Sequence, residues 1–240
     1  MKKFLLTLVV LVVVAAAGIS FYLDTIVKST AEQIASDTLQ TEVTISSVNV
    51  SLFSQNVSIS GVAIKNPAGF ESENILEVGS FTAQAEDLFG SPVMISSVVV
   101  DGLTAYAEMS DGKLNFQELK RNMASTAVAS SSGSSNSDAS DSPSSSESAG
   151  LAIRELIISN AMAVAAVSLA GEGQSQDIAL PTIRMTDIGT ENQAIQPPEA
   201  VRRVVAELTQ AVTQATTGSF LDRAKEQIQE SIGSTLEGLF

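Results

Sequence analysis

The sequence predicts a mainly β protein with helices (α+β): an N-terminal transmembrane helix, a curved antiparallel half-barrel sheet and C-terminal amphipathic helices. Three features lead there. Residues 4–23 carry no charged side chain. From Val43 to about Ser110 the chain is rich in Val, Ile, Ser and Thr, residues that suit a pleated, half-buried surface. After Pro197-Pro198 the apolar positions recur at three- and four-residue steps, the period of a helix. The segments are 1–23 (transmembrane anchor), 24–41 (juxtamembrane helix), 42–128 (first β region), 129–150 (disordered Ser-rich loop), 151–195 (continuation of the sheet) and 196–240 (C-terminal amphipathic helices).

Met1-Lys2-Lys3 precedes a 20-residue apolar run, Phe4 to Leu23, in which Thr7 and Ser20 are the obvious polar side chains. A helix of that length rises ~30 Å, the thickness of a bilayer's hydrocarbon core. Phe4, Leu5, Leu11, Phe21 and Tyr22 are the anchor residues, with Phe21-Tyr22 suited to the interface. Lys2 and Lys3 stay cytoplasmic, which sends everything after Asp24 to the far side. A cleaved signal peptide competes, because Ala15-Ala16-Ala17 fits a small-x-small cleavage site before Gly18. Continuation of the apolar run to Leu23 argues for retention. No other stretch reaches 18 apolar residues, so a single pass is expected.

Asp24 to Thr41 reads as a helix, with Ile26, Val27, Ala31, Ile34, Ala35 and Leu39 on one stripe. Strands are predicted at 43–52, 56–64, 76–87, 94–100 and 103–109, with turn or bulge chemistry at Gly61, Asn66-Pro67-Ala68-Gly69, Gly90-Ser91-Pro92 and Asp101-Gly102. A short helix follows at 114–123. Between 130 and 149 twelve of twenty residues are Ser. That stretch cannot bury enough apolar area to offset its chain entropy, so a solvated, disordered loop is expected. Further strands are predicted at 151–158, 161–169 and 177–186. Two helices close the chain, the first striped by Val201, Val204, Val205, Leu208 and Val212, the second starting after Gly218.

Four segments share one spacing: Ile45-Ser-Ser-Val48-Asn-Val50, Ile59-Ser-Gly-Val62-Ala-Ile64, Ile95-Ser-Ser-Val98-Val-Val100 and Ile153-Arg-Glu-Leu156-Ile-Ile158. The odd first gap would turn the side chain to the opposite face of a regular strand, so a bulge or kink at each middle pair is expected to restore the face.

Composition excludes several chemistries. The chain has no His, no Cys and no Trp. Ser-His-Asp and Cys-His nucleophiles, thiolate metal sites, haem and iron–sulfur ligation and disulfides are therefore ruled out. Thirteen basic residues against 27 acidic ones give a net charge of −14, which phosphate backbones repel, so no nucleic acid partner is expected. Acid pairs such as Glu71/Glu73, Asp187/Glu191 and Glu226/Glu230 lack a nucleophile or cationic partner in an apolar setting, and none follows the calcium-loop spacing. No catalytic residue, no metal site and no cofactor is expected; the protein reads as a non-enzyme. Beyond Lys2 and Lys3 the body holds 11 basic residues against 27 acidic, a net of −16, so any contact with a membrane surface must be apolar.

The anchor, the amphipathic helix after it, Val43 to Val50, Val57 to Ile64 leading into Asn66-Pro-Ala-Gly-Phe70, Leu76-Glu-Val-Gly-Ser-Phe81, Ile95 to Val100 and Asp111-Gly-Lys-Leu-Asn-Phe116 occur in an order that resembles short members of the AsmA-like family over residues 1–123. The resemblance implies a single-pass inner-membrane protein with its body in the periplasm. It also implies a taco-like sheet with an apolar concave face, linked in that family to envelope and outer-membrane biogenesis and, in large members, to phospholipid conduction. About eight strands at ~4.8 Å spacing span only ~38 Å, too little to bridge two membranes. A phospholipid or fatty acyl chain is then the implied ligand, shielded rather than conducted, with Val50, Val62, Val98, Val100, Leu156 and Ile158 as candidate lipid-facing residues. The opposing reading is a structural or protein-interaction module of the envelope, in which these side chains meet the C-terminal helices in a closed core. A third is a secreted β-domain released at Ala17.

Overall fold

A computed structural model describes residues 22–87, 90–110, 112–131, 150–169 and 172–237. The anchor up to Phe21 and the Ser-rich stretch 132–149 lie outside the described residues. Residues 22–39 form helix α1. Nine strands follow: β1 (Val43–Ser51), β2 (Asn56–Lys65), β3 (Asn74–Asp87), β4 (Val93–Ser110), β5 (Lys113–Leu114), β6 (Leu151–Ser159), β7 (Met162–Leu169), β8 (Glu172–Ala179) and β9 (Ile183–Ile188). Helix α2 (Asn115–Ser131) stands between β5 and β6, and α3 (Pro197–Glu237) ends the described chain. No described helix is long and apolar enough to cross a membrane.

The molecule is mainly β with helices, built on one open sheet ordered β1-β2-β3-β4-β6-β9. Several expectations need correction. The sheet is mixed rather than antiparallel, because β4 pairs in parallel with both β6 and β7. The strands expected at 94–100 and 103–109 are one 18-residue strand, β4. The single strand expected at 177–186 is two, β8 and β9, parted at Leu180-Pro181-Thr182, where Pro181 cannot donate to a ladder. The two C-terminal helices are one continuous α3, since an interior Gly such as Gly218 costs a helix only ~1 kcal/mol and does not end it. The helix expected at 114–123 also runs on to Ser131.

The register explains the recurrent spacing. Strands β6 and β7 follow one another along β4 without a shift, and β9 and β8 follow one another along them. The sheet is thus six strands deep, and one row crosses it at Ser46, Gly61, Gly79 and Gly102 of β1 to β4, then at Asn160 between β6 and β7 and Pro181 between β8 and β9. Gly61, Gly102 and Asn160 adopt positive φ of 62°, 67° and 50°. Across this row the buried side changes parity in concert: Val43 and Ile45 give way to Val48 and Val50, Val98 and Val100 to Leu103, Ala105 and Ala107, Leu156 and Ile158 to Ala161, Ala163 and Ala165. Because the strands invert at the same level, pairing survives and one face stays apolar throughout. Asp101 Oδ1 spans the row, accepting from Ser159 Oγ at 3.0 Å and Asn160 Nδ2 at 2.6 Å.

A second inversion serves the other two repeats. The register slips between Gln84 and Ala85 opposite Ser96-Ser97, a β-bulge, and Asp187, level with Arg154, has φ 55°. Ile153, Leu156 and Ile158 consequently share the buried face despite the odd gap. All four repeats therefore mark positions where the sheet turns its strands over.

Candidate functional site

The sheet has a wet face and a dry one. Ion pairs such as Arg184–Glu155 and Arg154–Glu86 decorate the wet side. The dry side is one continuous apolar cluster from Val43 and Ile64 to Ile183 and Ile188. Its most confined part is a strip of small residues, Ala105, Ala107, Ala163 and Ala165, each 0% exposed. These belong to β4 and β7, against which α3 lies, together with β8 and β9. Alanine at alternate positions lets a helix approach the sheet closely, and Ala200, Val205, Leu208 and Val212 of α3 are buried in the same cluster. Thr209 and Thr216 also lie buried on α3. Their hydroxyls donate to the carbonyls of Val205 (2.7 Å) and Val212 (2.8 Å), which satisfies them within the helix.

All six candidate residues fall on this side. Val98, Val100, Leu156 and Ile158 belong to the main cluster, and Leu156 and Val98 stand side by side in the β4–β6 register. Val50 lies in a smaller cluster with Ile45 and Val48 beneath Val27 and Ala31 of α1, and Val62 packs against both clusters. Of the anchor residues only Tyr22 is described; it is exposed at the start of α1. Phe4, Leu5, Leu11 and Phe21 lie outside the described residues. The alanine strip and Val212 were not among the candidates, although the alternation Leu103/Ala105/Ala107 is plain in the sequence.

Two devices close the sheet's ends. Helix α1 runs along the free edge of β1, and its polar side chains take that edge's backbone donors. Val43 N–H donates to Ser36 Oγ (2.9 Å), Ile45 N–H to Glu32 Oε1 (2.7 Å) and Val50 N–H to Asp24 Oδ1 (2.7 Å). An edge capped in this way cannot accept another strand. At the other end of β4, the Asn66–Phe70 turn is tied down by Glu108, which is 1% exposed. Its carboxylate accepts from the N–H groups of Glu71 (2.6 Å) and Ser72 (2.9 Å). Asn115 completes the knot: its Oδ1 accepts from Glu108 N–H and Phe116 N–H, and its Nδ2 donates to Asn66 Oδ1 and the Tyr106 carbonyl. The two turn motifs of the sequence are therefore one structural joint.

Two surface grooves open beside the helices that cover the dry face. One, of about 600 Å³, lies between α2 and α3 beside Met185 of β9, with Gln117, Lys120, Arg203 and Gln210 among its lining. The other, of about 400 Å³, lies between α1 and β1. Among the described residues no three carboxylates gather as a metal ion would require. Glu73 is held below the usual carboxylate range by its hydrogen bond and ion pair with Lys65. Tyr106 is pushed above the usual phenol range by burial, then by the charge and hydrogen bond of Glu77.

The family model described as AsmA family matches residues 1–188. That span ends with β9, so α3 lies beyond it. No curated protein matches the sequence.

Proposed function

Because the chain belongs to the AsmA family, which goes with an envelope-related role, we propose that it is a non-enzymatic, single-pass membrane protein that shelters a lipid acyl chain on its dry sheet face, with α3 as the resident cover that the acyl chain displaces. Residues 4–23 would anchor it in the inner membrane and the described body would lie in the periplasm. The observation that carries this reading is the position of α3. It follows the family-matched strands and lies over β4, β7, β8 and β9, on a face whose centre is lined by aliphatic side chains. The strip of β4 and β7 beneath α3 is alanine, which gives the helix little bulk to interlock with, so it can be replaced by a slender aliphatic chain. The partner would be a phospholipid or a fatty acyl chain, with no cofactor.

The second reading, a protein-interaction module with a permanently closed core, is favoured by the burial of Val98, Leu156 and Ile158 to 2% or less. Native mass spectrometry of the full chain, released from detergent, separates the two when Val212→Ala is included. On the lipid reading the variant is less stable and carries more co-purified phospholipid than the parent, because α3 competes less well. Loss of stability with no lipid on either protein removes the lipid reading and leaves the closed module.

A further inference from the structure

We infer that the β1–β2 hairpin tip, Leu52-Phe53, dips into the membrane interface beside the anchor and makes a second, apolar point of attachment for the body. The inference rests on the anchored reading above and deepens it. The hydrogen bond from Val50 N–H to Asp24 Oδ1 (2.7 Å) puts the first turn of α1 beside the end of β1, immediately before the chain turns over at residues 52–55. The described residues include five exposed large apolar side chains, and four of them gather at this end: Tyr22 at 69%, Ile26 at 42%, Leu52 at 41% and Phe53 at 103%. A fully exposed Phe at a hairpin tip serves no packing purpose within the body.

The occupant follows from the chain's own course. The uncharged run from Phe4 ends at Leu23, so an anchor built from it would leave the hydrocarbon where this patch begins. An interfacial Tyr followed by an apolar hairpin at the same level suits the boundary between headgroups and acyl chains. The net acidity of the chain gives the body no attraction to anionic headgroups, so an apolar tip is the contact left to it. Two points of attachment would hold the sheet at a fixed tilt, where a single helix would let it swing.

The absence of Trp makes a direct test available. Phe53→Trp, Leu52→Trp and Val99→Trp are each introduced into the full chain and reconstituted in phosphatidylethanolamine/phosphatidylglycerol vesicles containing brominated phosphatidylcholine. Val99 is exposed in mid-strand on the wet face and serves as the control. Co-flotation with vesicles reports the anchor independently. The expected result is flotation of all three variants. Indole emission from Phe53→Trp and Leu52→Trp should be strongly quenched by bromines ~5–10 Å below the headgroups, and emission from Val99→Trp should not. Flotation with quenching at position 53 no greater than at 99 overturns the inference and leaves the anchor standing. Failure to float removes both.

Discussion

Gly61 sits where the row of inverted residues crosses β2, and replacing it tests whether that row is a structural necessity. Its φ is +62°, and an added Cβ would stand 2.4 Å from Ser46 Oγ and 2.9 Å from Ser46 Cβ. The left-handed conformation costs an L-residue roughly 1–2 kcal/mol. Forcing apart two groups in a paired strand adds about 1–3 kcal/mol, so Gly61→Ala should lose ~2–5 kcal/mol in all. Ser46→Gly removes both contacting atoms. In that background the same change should cost only the conformational part, ~1–2 kcal/mol, a coupling of about 1–3 kcal/mol between the two positions. Urea unfolding of the full chain in detergent micelles, followed by far-ultraviolet circular dichroism, measures all four corners of the cycle. A loss below ~0.5 kcal/mol for Gly61→Ala, or an equal loss with and without Ser46, would show that the strands turn over for some other reason.

Other expectations follow from the same geometry. Gly218 lies exposed inside α3 with nothing within 4 Å of an added Cβ, so Gly218→Ala should stabilise the protein by ~0.5–1 kcal/mol, and a loss would mean that α3 breaks there. Glu108→Gln replaces one acceptor oxygen with an NH₂ group facing backbone donors and should cost ~1.5–3 kcal/mol in chemical denaturation; a neutral result would show that the joint does not hold the Asn66–Phe70 turn. Tyr106 has its folded pKa raised, so its contribution is complete below the unfolded phenol's value of ~10 and declines as pH rises through the folded one. In a Tyr22→Phe background the phenolate absorbance should then appear at higher pH in the folded protein than in urea, and Tyr106→Phe should lessen the alkaline loss of stability.

Much of this architecture could be read from the chain before any coordinates. Helix α1, the first three strands and the β6–β7 pair stand within a few residues of where the sequence put them, because each carries an apolar stripe or a run of β-favouring residues bounded by turn chemistry. The spacing Ile45-Ser-Ser-Val48 was legible as a kink, but its cause was not. The inversion belongs to a row of six residues, four on strands and two at strand junctions, and a row exists only once the register is known. Gly102 reads as a turn in isolation; opposite Gly79 it lets β4 run straight on while inverting its faces. Pairing of β4 with β6 and β7 was hidden for the same reason, since a parallel partner some fifty-eight residues away leaves no local trace.

The candidate site divides in the same way. Apolar alternation sufficed to put Val50, Val62, Val98, Val100, Leu156 and Ile158 on the dry side. What covers them was not legible, because α3's stripe fits a sheet, a second helix or a bilayer equally well by sequence. The alanine strip went unread since alanine is weakly apolar and common in both helices and strands. Glu108 occupies an ordinary outward position of β4 and becomes a joint only when the Asn66–Phe70 turn folds over it.

Hydrogen–deuterium exchange across α3, on the full chain in micelles with and without added phospholipid, probes the displaceable cover most directly. The amides of residues 200–216 should be protected without lipid and exchange markedly faster with it, while β4 stays protected under both conditions. Equal protection of this segment at saturating phospholipid would mean that α3 is a permanent part of the core and that the dry face never receives an acyl chain.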